Sequence, residues 1–239
     1  MNLKLTLEYD GSGFRGWARQ PGLRTVEGVL REALDTVFPS WDGLAVAGRT
    51  DAGVHATGQV ASCRAAGGPG VEHAADALNS ALPDDVVVLA AAGAPDDFHA
   101  RFSARSRTYR YCVRTTPSAL DARRALWWPR ALDVDRLQAA AALLVGEHDF
   151  RAFTPTDTQH EVFHRTVLAA AWESDGDRLD LTITADSFLR HMVRTVVGTM
   201  LEGGPETPAL IERLLDGEHR SEAGLTAPPH GLYLERVGY

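Results

Sequence analysis

The residues with the clearest chemical potential lie in one glycine-containing turn, Gly48-Arg49-Thr50-Asp51-Ala52-Gly53-Val54-His55-Ala56. Asp51 is a carboxylate on a loop between two predicted strands, and the nearby Arg49 would hold it ionised at neutral pH. Such a carboxylate is suited to approach a sugar carbon or the edge of a base. The structural alternative is that Asp51 only braces its own turn through the backbone.

A second candidate is His160-Glu161-Val162-Phe163-His164, which matches the HExxH pattern of zinc hydrolases. In that pattern two imidazoles one helical turn apart bind zinc and the Glu activates water. The geometry needs a long helix, but the preceding stretch 154–158 contains Pro155, and Val162 and Thr166 favour extended structure. The sequence predicts a loop without a metal here, and a zinc hydrolase stays as an alternative.

A third pattern, Gly11-Ser12-Gly13-Phe14-Arg15-Gly16, matches the GxGxxG fingerprint of dinucleotide-binding folds. A helix would have to begin at Gly16 to direct its amide groups at a pyrophosphate, but Pro21 and Gly22 interrupt the chain shortly afterwards. The expected acidic residue would be Asp35, which lies inside a predicted helix. We expect a glycine-rich loop and no nucleotide cofactor.

The charged residues exclude further classes of enzyme. Among 24 basic residues only Lys4 is a lysine, so a P-loop, a protein kinase or a Schiff-base enzyme lacks its essential amine. The net charge is −8, yet the window 98–130 holds eight arginines against Asp121 alone, or +7, which leaves −15 for the rest. We call these eight residues the arginine band: Arg101, Arg105, Arg107, Arg110, Arg114, Arg123, Arg124 and Arg130.

Hydrophobic periodicity supplies the elements that must position these residues. The first half predicts strands at 3–9, 44–47, 59–63 and 86–91, and helices at 26–38, with Thr25 as N-cap, and 71–81. Their order, β-α-β-β-α-β, is that of a ferredoxin-like unit. Gly93 and Pro95 to Asp97 mark a boundary, which predicts domains at 1–97 and 98–239.

The second half predicts another α+β unit. Strands are expected at 107–114, 167–172, 178–184 and 232–237, and helices at 134–145, 189–201 and 210–215. The helix at 189–201 is predicted to start from Ser187 as its cap and to stop at Gly203. Its apolar face would line a core, and Arg190, His191 and Arg194 would share the opposite face.

Sequence features also predict the cellular compartment of the protein. Its N-terminus lacks a secretory signal, no stretch approaches the roughly 18 apolar residues of a membrane span, and Cys63 and Cys112 form no disulfide pattern. These features predict a cytoplasmic protein without membrane contact.

The turn GRTDAGVHATGQV closely resembles the signature loop of the tRNA pseudouridine synthase A family. Further segments similar to that family follow in the same order along almost the whole chain: YDGSGFRGW with TVEGVL, LNSALPDDV, FHARFSARSRTYRYCV, GEHDFRAF, FLRHMVRTVVGTML and TAPPHGLYLERVGY. Ala18 departs from the family, where Gln is expected, and the loop from Pro155 to His164 is not recognisable. The resemblance implies the pseudouridine synthase fold, an α+β fold with two ferredoxin-like subdomains around a central antiparallel sheet and an active-site cleft between them.

The resemblance also implies an isomerase that converts uridine to pseudouridine in RNA without a cofactor. Asp51 stands where the family has its essential carboxylate, and Tyr109 matches its stacking tyrosine, with Tyr111 on the same strand face as the competing candidate. Arg194 matches the arginine that pairs with that carboxylate. Leu232 and Val193 are candidates for the wall of a water-poor pocket.

The remaining expectations concern RNA. Arg49 is assigned to RNA positioning or to a backbone brace, and His55 is assigned to substrate binding and kept outside the catalytic set. Arg105 and Arg107 are expected to contact phosphates as part of the arginine band. By resemblance the partner is the anticodon stem-loop of tRNA at about positions 38 to 40, and the enzyme is a homodimer. A noncatalytic RNA-binding protein is the alternative from another class.

Overall fold

The computed structural model describes all residues, 1–239, and the chain falls into two units. The first comprises Met1–Arg105 with Tyr233–Tyr239, and the second comprises Ser106–Leu232. This division differs from the predicted boundary after residue 97 because the next residues are bonded to the first unit. The Ala100 amide donates to Ser62 Oγ at 3.0 Å, and the Arg105 amide donates to the Gly238 carbonyl at 2.8 Å. No helix is long and apolar enough to cross a membrane.

The first unit has the predicted ferredoxin-like order of elements. Along the chain these are β1 (Asn2–Tyr9), α1 (Val26–Val37), β2 (Ser40–Val46), β3 (His55–Ala66), α2 (Val71–Asn79) and β4 (Val86–Gly93). The antiparallel sheet runs β4-β1-β3-β2, so the first and third strands lie side by side in its centre. Strand β3 is therefore held by neighbours on both sides, and the loop that precedes it carries Asp51.

The sequence explains these elements directly. Leu3, Leu5 and Leu7 alternate along β1 and are completely buried, as a strand with one core-facing side requires. Helix α1 begins after Thr25, whose side-chain oxygen accepts a hydrogen bond from the Gly28 amide at 3.2 Å, so the predicted cap is confirmed.

The second unit repeats the strand arrangement of the first. Its elements are β5 (Ser106–Arg114), β6 (Leu126–Trp127), α3 (Val134–Leu143), β7 (Gly146–Asp149), β8 (His164–Asp175), β9 (Arg178–Ala185), α4 (Met192–Glu202) and α5 (Thr207–Leu215). The antiparallel order β5-β9-β8 corresponds to β1-β3-β2, and β7 extends it on β8. The last strand, β10 (Leu232–Gly238), pairs in parallel with β3 through Tyr233 and Leu234.

Helix α4 starts later than its hydrophobic pattern predicts. Ser187 does not cap it: Asp186 Oδ1 accepts hydrogen bonds from the Ser187 amide and hydroxyl, and the N-cap position is occupied by His191. His191 has a φ of 61°, a left-handed conformation that interrupts any helix running through it. The helix therefore begins at Met192, and Arg190 and His191 precede it instead of sharing a helix face with Arg194.

Candidate active site

Asp51 lies in the loop between β2 and β3, half-buried and directly after the buried Thr50. The turn closes on itself, because the Val54 amide donates to the Asp51 carbonyl at 3.1 Å. Gly53 has a φ of 80°, which a glycine adopts without strain. The sequence of this turn therefore fixes the backbone on both sides of the carboxylate.

A buried hydrogen-bond network anchors the same loop to the sheet. The Tyr9 hydroxyl and Thr50 Oγ1 are 2.7 Å apart, and Gln59 Nε2 donates to the Gly48 carbonyl at 2.7 Å and to the Tyr9 oxygen at 3.3 Å. Burial raises the pKa of Tyr9 to about 12, which keeps the phenol neutral. Because the network is buried and satisfied, it restricts the movement of Asp51.

The glycine-rich segment supports this loop. The Trp17 amide donates to the Thr50 carbonyl at 3.0 Å, and the Gly53 amide donates to the Phe14 carbonyl at 3.3 Å. Gly16 has a φ of 90°, and a Cβ on it would lie 2.8 Å from the Thr50 carbonyl oxygen. No helix begins at Gly16, because α1 starts at Val26, so the geometry of a dinucleotide-binding turn is absent.

His55 and Arg49 occupy different environments at the two ends of the loop. His55 is 2% exposed, its Nδ1 accepts a hydrogen bond from the Gly11 amide at 3.1 Å, and its ring stacks on Tyr233 at 4.7 Å. Arg49 is exposed. The position of His55 gives it a structural task, whereas Arg49 can contact a ligand directly.

In the second unit, β5 presents its two tyrosines differently. Tyr111 is completely buried, and its hydroxyl donates to the Pro228 carbonyl at 2.8 Å. Tyr109 is 8% exposed, and its ring meets Phe188 edge-on at a centroid distance of 5.0 Å. Burial also raises the pKa of Tyr111. The hydroxyl of Tyr111 thus stabilises the fold of the second unit.

Arg194 lies in the first turn of α4 and is held by a neighbouring segment. Its Nε donates to the Ala227 carbonyl at 2.7 Å, and the Ala227 amide donates back to the Arg194 carbonyl at 3.0 Å. These two bonds orient the guanidinium. Pro228, the next residue, accepts from Tyr111, so one short segment braces both side chains.

The other predicted contact residues differ in exposure. Leu232 and Val193 are 5% and 4% exposed and are part of the apolar interior. Arg105 is exposed, whereas Arg107 is half-buried and donates to the Asp186 carbonyl at 2.8 Å. Arg105 therefore has the better geometry for a ligand contact.

Known proteins resemble this chain along its whole length. The sequence profile of tRNA pseudouridine synthase matches residues 6–103 and 140–239. The chain belongs to the tRNA pseudouridine synthase family. Among relatives named tRNA pseudouridine synthase A, one from Caldicellulosiruptor bescii is 38% identical over 242 residues, covering 100% of this chain and 99% of the relative. One from Bacillus subtilis is 41% identical over 245 residues, with 100% and 99% covered, and one from Bartonella bacilliformis is 40% identical, with 99% and 98% covered.

The HExxH pattern is not a zinc-binding helix in this member of the tRNA pseudouridine synthase family. His160 and Glu161 lie in an exposed loop, and His164 is the exposed first residue of β8. The structure contains no cluster of three or more His, Cys, Asp or Glu side chains that could hold a metal ion. The geometry that the zinc-hydrolase alternative requires is therefore missing.

Sequence reasoning missed the supports of the site. The contacts of Thr50 with Tyr9 and of Arg194 with Ala227 join residues far apart in the chain, so no local pattern indicates them. One signal was available in Gly198, a glycine inside a strong helical pattern. A Cβ there would lie 1.8 Å from the Leu225 carbonyl oxygen, so only glycine admits the segment that braces Arg194.

Proposed function

We propose that this chain isomerises uridine to pseudouridine in tRNA, with Asp51 as its catalytic carboxylate. The reaction breaks the bond between C1′ and N1 of the uracil, rotates the base and forms a bond between C1′ and C5. The C5 proton is lost to solvent and N1 gains a proton, so the atoms balance without a redox partner. The resemblance implies no cofactor.

The observation that carries this proposal is the position of Asp51. Its half-buried carboxylate stands on a loop fixed by the Tyr9, Thr50 and Gln59 network, in a chain that belongs to this family. A preorganised carboxylate lowers the barrier because no reorganisation is needed at the moment of reaction.

Tyr109 and Arg194 complete the machinery that the resemblance implies. Tyr109 would carry the detached base on its ring, and its hydroxyl would accept the C5 proton. Arg194 would orient the carboxylate of Asp51, as the resemblance implies. Leu232 and Val193 would exclude water, because water entering after the glycosidic bond breaks would release free uracil.

Fewer residues are proposed to contact the RNA directly than the sequence predicted. Arg49 and Arg105 are assigned to phosphates, because both are exposed. Arg107 and His55 are assigned to positioning, since Arg107 bonds to the Asp186 carbonyl and His55 supports Gly11. We further propose the anticodon stem-loop, at about positions 38 to 40, as the target, a homodimer as the active form and the cytoplasm as the location; all three rest on the resemblance.

The test is release of tritium from tRNA transcripts labelled at C5 of uridine. Release requires that C5 exchange its hydrogen for the bond to the sugar, so an RNA-binding protein or a hydrolase gives none. We expect release from unmodified transcripts, unchanged by a strong zinc chelator, with the product mapped to the anticodon stem-loop. The absence of release at saturating enzyme would contradict the proposal.

A further inference from the structure

An arginine pair outside the arginine band lies beside the catalytic loop. Arg15 and Arg19 are exposed residues of the segment between β1 and α1, in the first unit. Neither forms an ion pair with a carboxylate. Their neighbour Arg24 is different, because it binds Asp85 through two hydrogen bonds of 2.7 and 2.8 Å and covers the Phe14 ring. The Arg24 side chain therefore stabilises the fold through these contacts, whereas the Arg15 and Arg19 side chains form no ion pair.

The backbone that carries the pair is fixed against the Asp51 loop. Phe14 and Gly16, on either side of Arg15, both contact that loop, as does Trp17 through its amide. The Arg15 amide also donates to the Arg24 carbonyl at 2.9 Å. Gln20 Nε2 donates to the Arg15 carbonyl at 3.1 Å, which brings the residue after Arg19 against Arg15. Both arginines consequently belong to one surface next to Asp51.

Two of the carboxylates around this surface are already paired with other arginines. Asp85 is paired with Arg24, and Glu27 is paired with Arg31 at 2.8 Å. Glu32 and Arg19 line the same open cavity without forming an ion pair. Unpaired guanidinium groups on a rigid support favour an anionic ligand.

We propose that Arg15 and Arg19 bind backbone phosphates of the RNA next to the nucleotide that Asp51 processes. This inference rests on the proposed function and extends it, because it assigns a phosphate-binding surface to the first unit, outside the arginine band. Arg15 and Arg19 position the substrate and do not touch the reacting atoms. Their removal therefore weakens binding and leaves the rate at saturating tRNA unchanged.

The experiment measures the affinity of the Arg15→Gln/Arg19→Gln double variant for an unmodified tRNA transcript across a range of salt concentrations. The matched control is Arg64→Gln, because Arg64 is exposed and lies near the far end of β3 from the Asp51 loop. We expect the double variant to bind roughly tenfold more weakly at moderate salt and to show a log-log salt slope reduced by about 1.4 to 1.8. Arg64→Gln should keep the wild-type slope.

Two outcomes would overturn the inference: a double variant with the salt slope of Arg64→Gln, or a double variant whose rate of tritium release at saturating tRNA falls more than about threefold. Failure of the proposed function gives a different result, because the wild-type protein would then release no tritium at all. The salt slopes would still be measurable in that case.

Discussion

At the scale of single residues, the two tyrosines of β5 show how the fold divides tasks between neighbours. The hydroxyl of Tyr111 satisfies the Pro228 carbonyl, and its ring packs where Gly231 leaves room for it. Tyr109 retains some exposure and meets Phe188 only at its edge. We therefore expect Tyr109 to act on substrate and Tyr111 to stabilise the second unit.

Substitutions at the two positions should separate these tasks. Tyr109→Phe keeps the ring and should bind tRNA but stall before the C5 proton leaves, whereas Tyr109→Leu removes the platform and should slow turnover by about a hundredfold. Tyr111→Phe should lower the free energy of unfolding by about 1 kcal/mol and leave turnover near the wild-type rate. Single-turnover tritium release and urea unfolding measure both effects. If Tyr109→Leu were as fast as the wild type, the assignment would be wrong.

At the scale of elements, helix α4 depends on close approach of another segment. Gly198 leaves the space that the Leu225 carbonyl occupies, and the chain continues from there to Ala227, which binds Arg194. A methyl group at position 198 must displace that segment. The position of Arg194 therefore depends on a residue that touches neither the arginine nor the substrate.

Gly198→Ala should lower stability by about 1 to 3 kcal/mol, as overpacking does, and should reduce the rate at saturating tRNA because Arg194 is no longer braced. The control is Gly176→Ala, in the turn between β8 and β9, where φ is 60° and no atom lies within 4 Å of the new Cβ. That variant should lower the free energy of unfolding by about 1 to 2 kcal/mol through backbone strain. Its rate at saturating tRNA should be unchanged. Equal rates for the two variants would contradict the coupling of α4 to catalysis.

The strands also bury two thiols whose titration affects stability. Burial raises the pKa of Cys63 in β3 and of Cys112 in β5 from 9.0 to about 11. The folded protein keeps these protons where the unfolded chain has released them, so stability falls as the pH rises through the window from 9 to about 11. We expect urea unfolding to show a decrease of about 3 kcal/mol per thiol in the free energy of unfolding.

Cys63→Ala removes one of these groups and should reduce the alkaline decrease in stability, compared with its own stability at pH 8. The substitution itself can lower stability at every pH, so the comparison is between slopes. An alkaline decrease as large as that of the wild type would show that Cys63 does not contribute.

Helices and strands whose bounds depend on neighbouring residues could be predicted from the sequence, and those whose bounds depend on other contacts could not. Thr25 capped α1 as expected, and the alternation of leucines placed β1. Helix α4 began later than predicted because its start is set by the left-handed His191 and by Asp186. The four-residue strand β7 was missed because GEHD has no apolar alternation.

The same distinction applies to the candidate site. The turn around Asp51 was found because its glycines and its carboxylate are adjacent in the sequence. The prediction of Tyr109 over Tyr111 rested on the resemblance alone, because the contact of Tyr111 with Pro228 joins residues that are 117 positions apart. The bond from Arg107 to the Asp186 carbonyl, which distinguishes it from the exposed Arg105, could not be predicted for the same reason.

At the scale of the whole molecule, the formal charge of the arginine band overestimates the number of its arginines that can contact RNA phosphates. Arg110 is paired with Asp180 at 3.2 Å, Arg114 with Asp121 at 2.6 Å, and Arg107 bonds to a carbonyl. Arg123 and Arg124 are exposed, in the segment between β5 and α3. The band therefore contains structural arginines as well as candidates for phosphate contact.

Paired substitution of Arg123 and Arg124 by Gln should weaken tRNA binding and reduce the log-log salt slope by about 0.7 to 0.9 for each phosphate that is no longer neutralised. The control is Arg110→Gln, which should leave the slope unchanged and change stability only slightly, because Asp180 keeps Arg178 at 2.9 Å as a partner. Binding to the transcript at several salt concentrations measures both. An unchanged slope in the Arg123 and Arg124 variant would mean that this part of the band is only a solvated surface.

Asp51→Asn tests our claim that the Asp51 carboxylate performs the chemistry. The amide has the same shape, so the turn, the circular dichroism spectrum and the affinity for tRNA should be preserved within about twofold. Tritium release at saturating tRNA should fall by at least about a thousandfold, which corresponds to about 4 kcal/mol of transition-state stabilisation. A folded Asp51→Asn protein that retained more than about a tenth of the wild-type rate would contradict the claim.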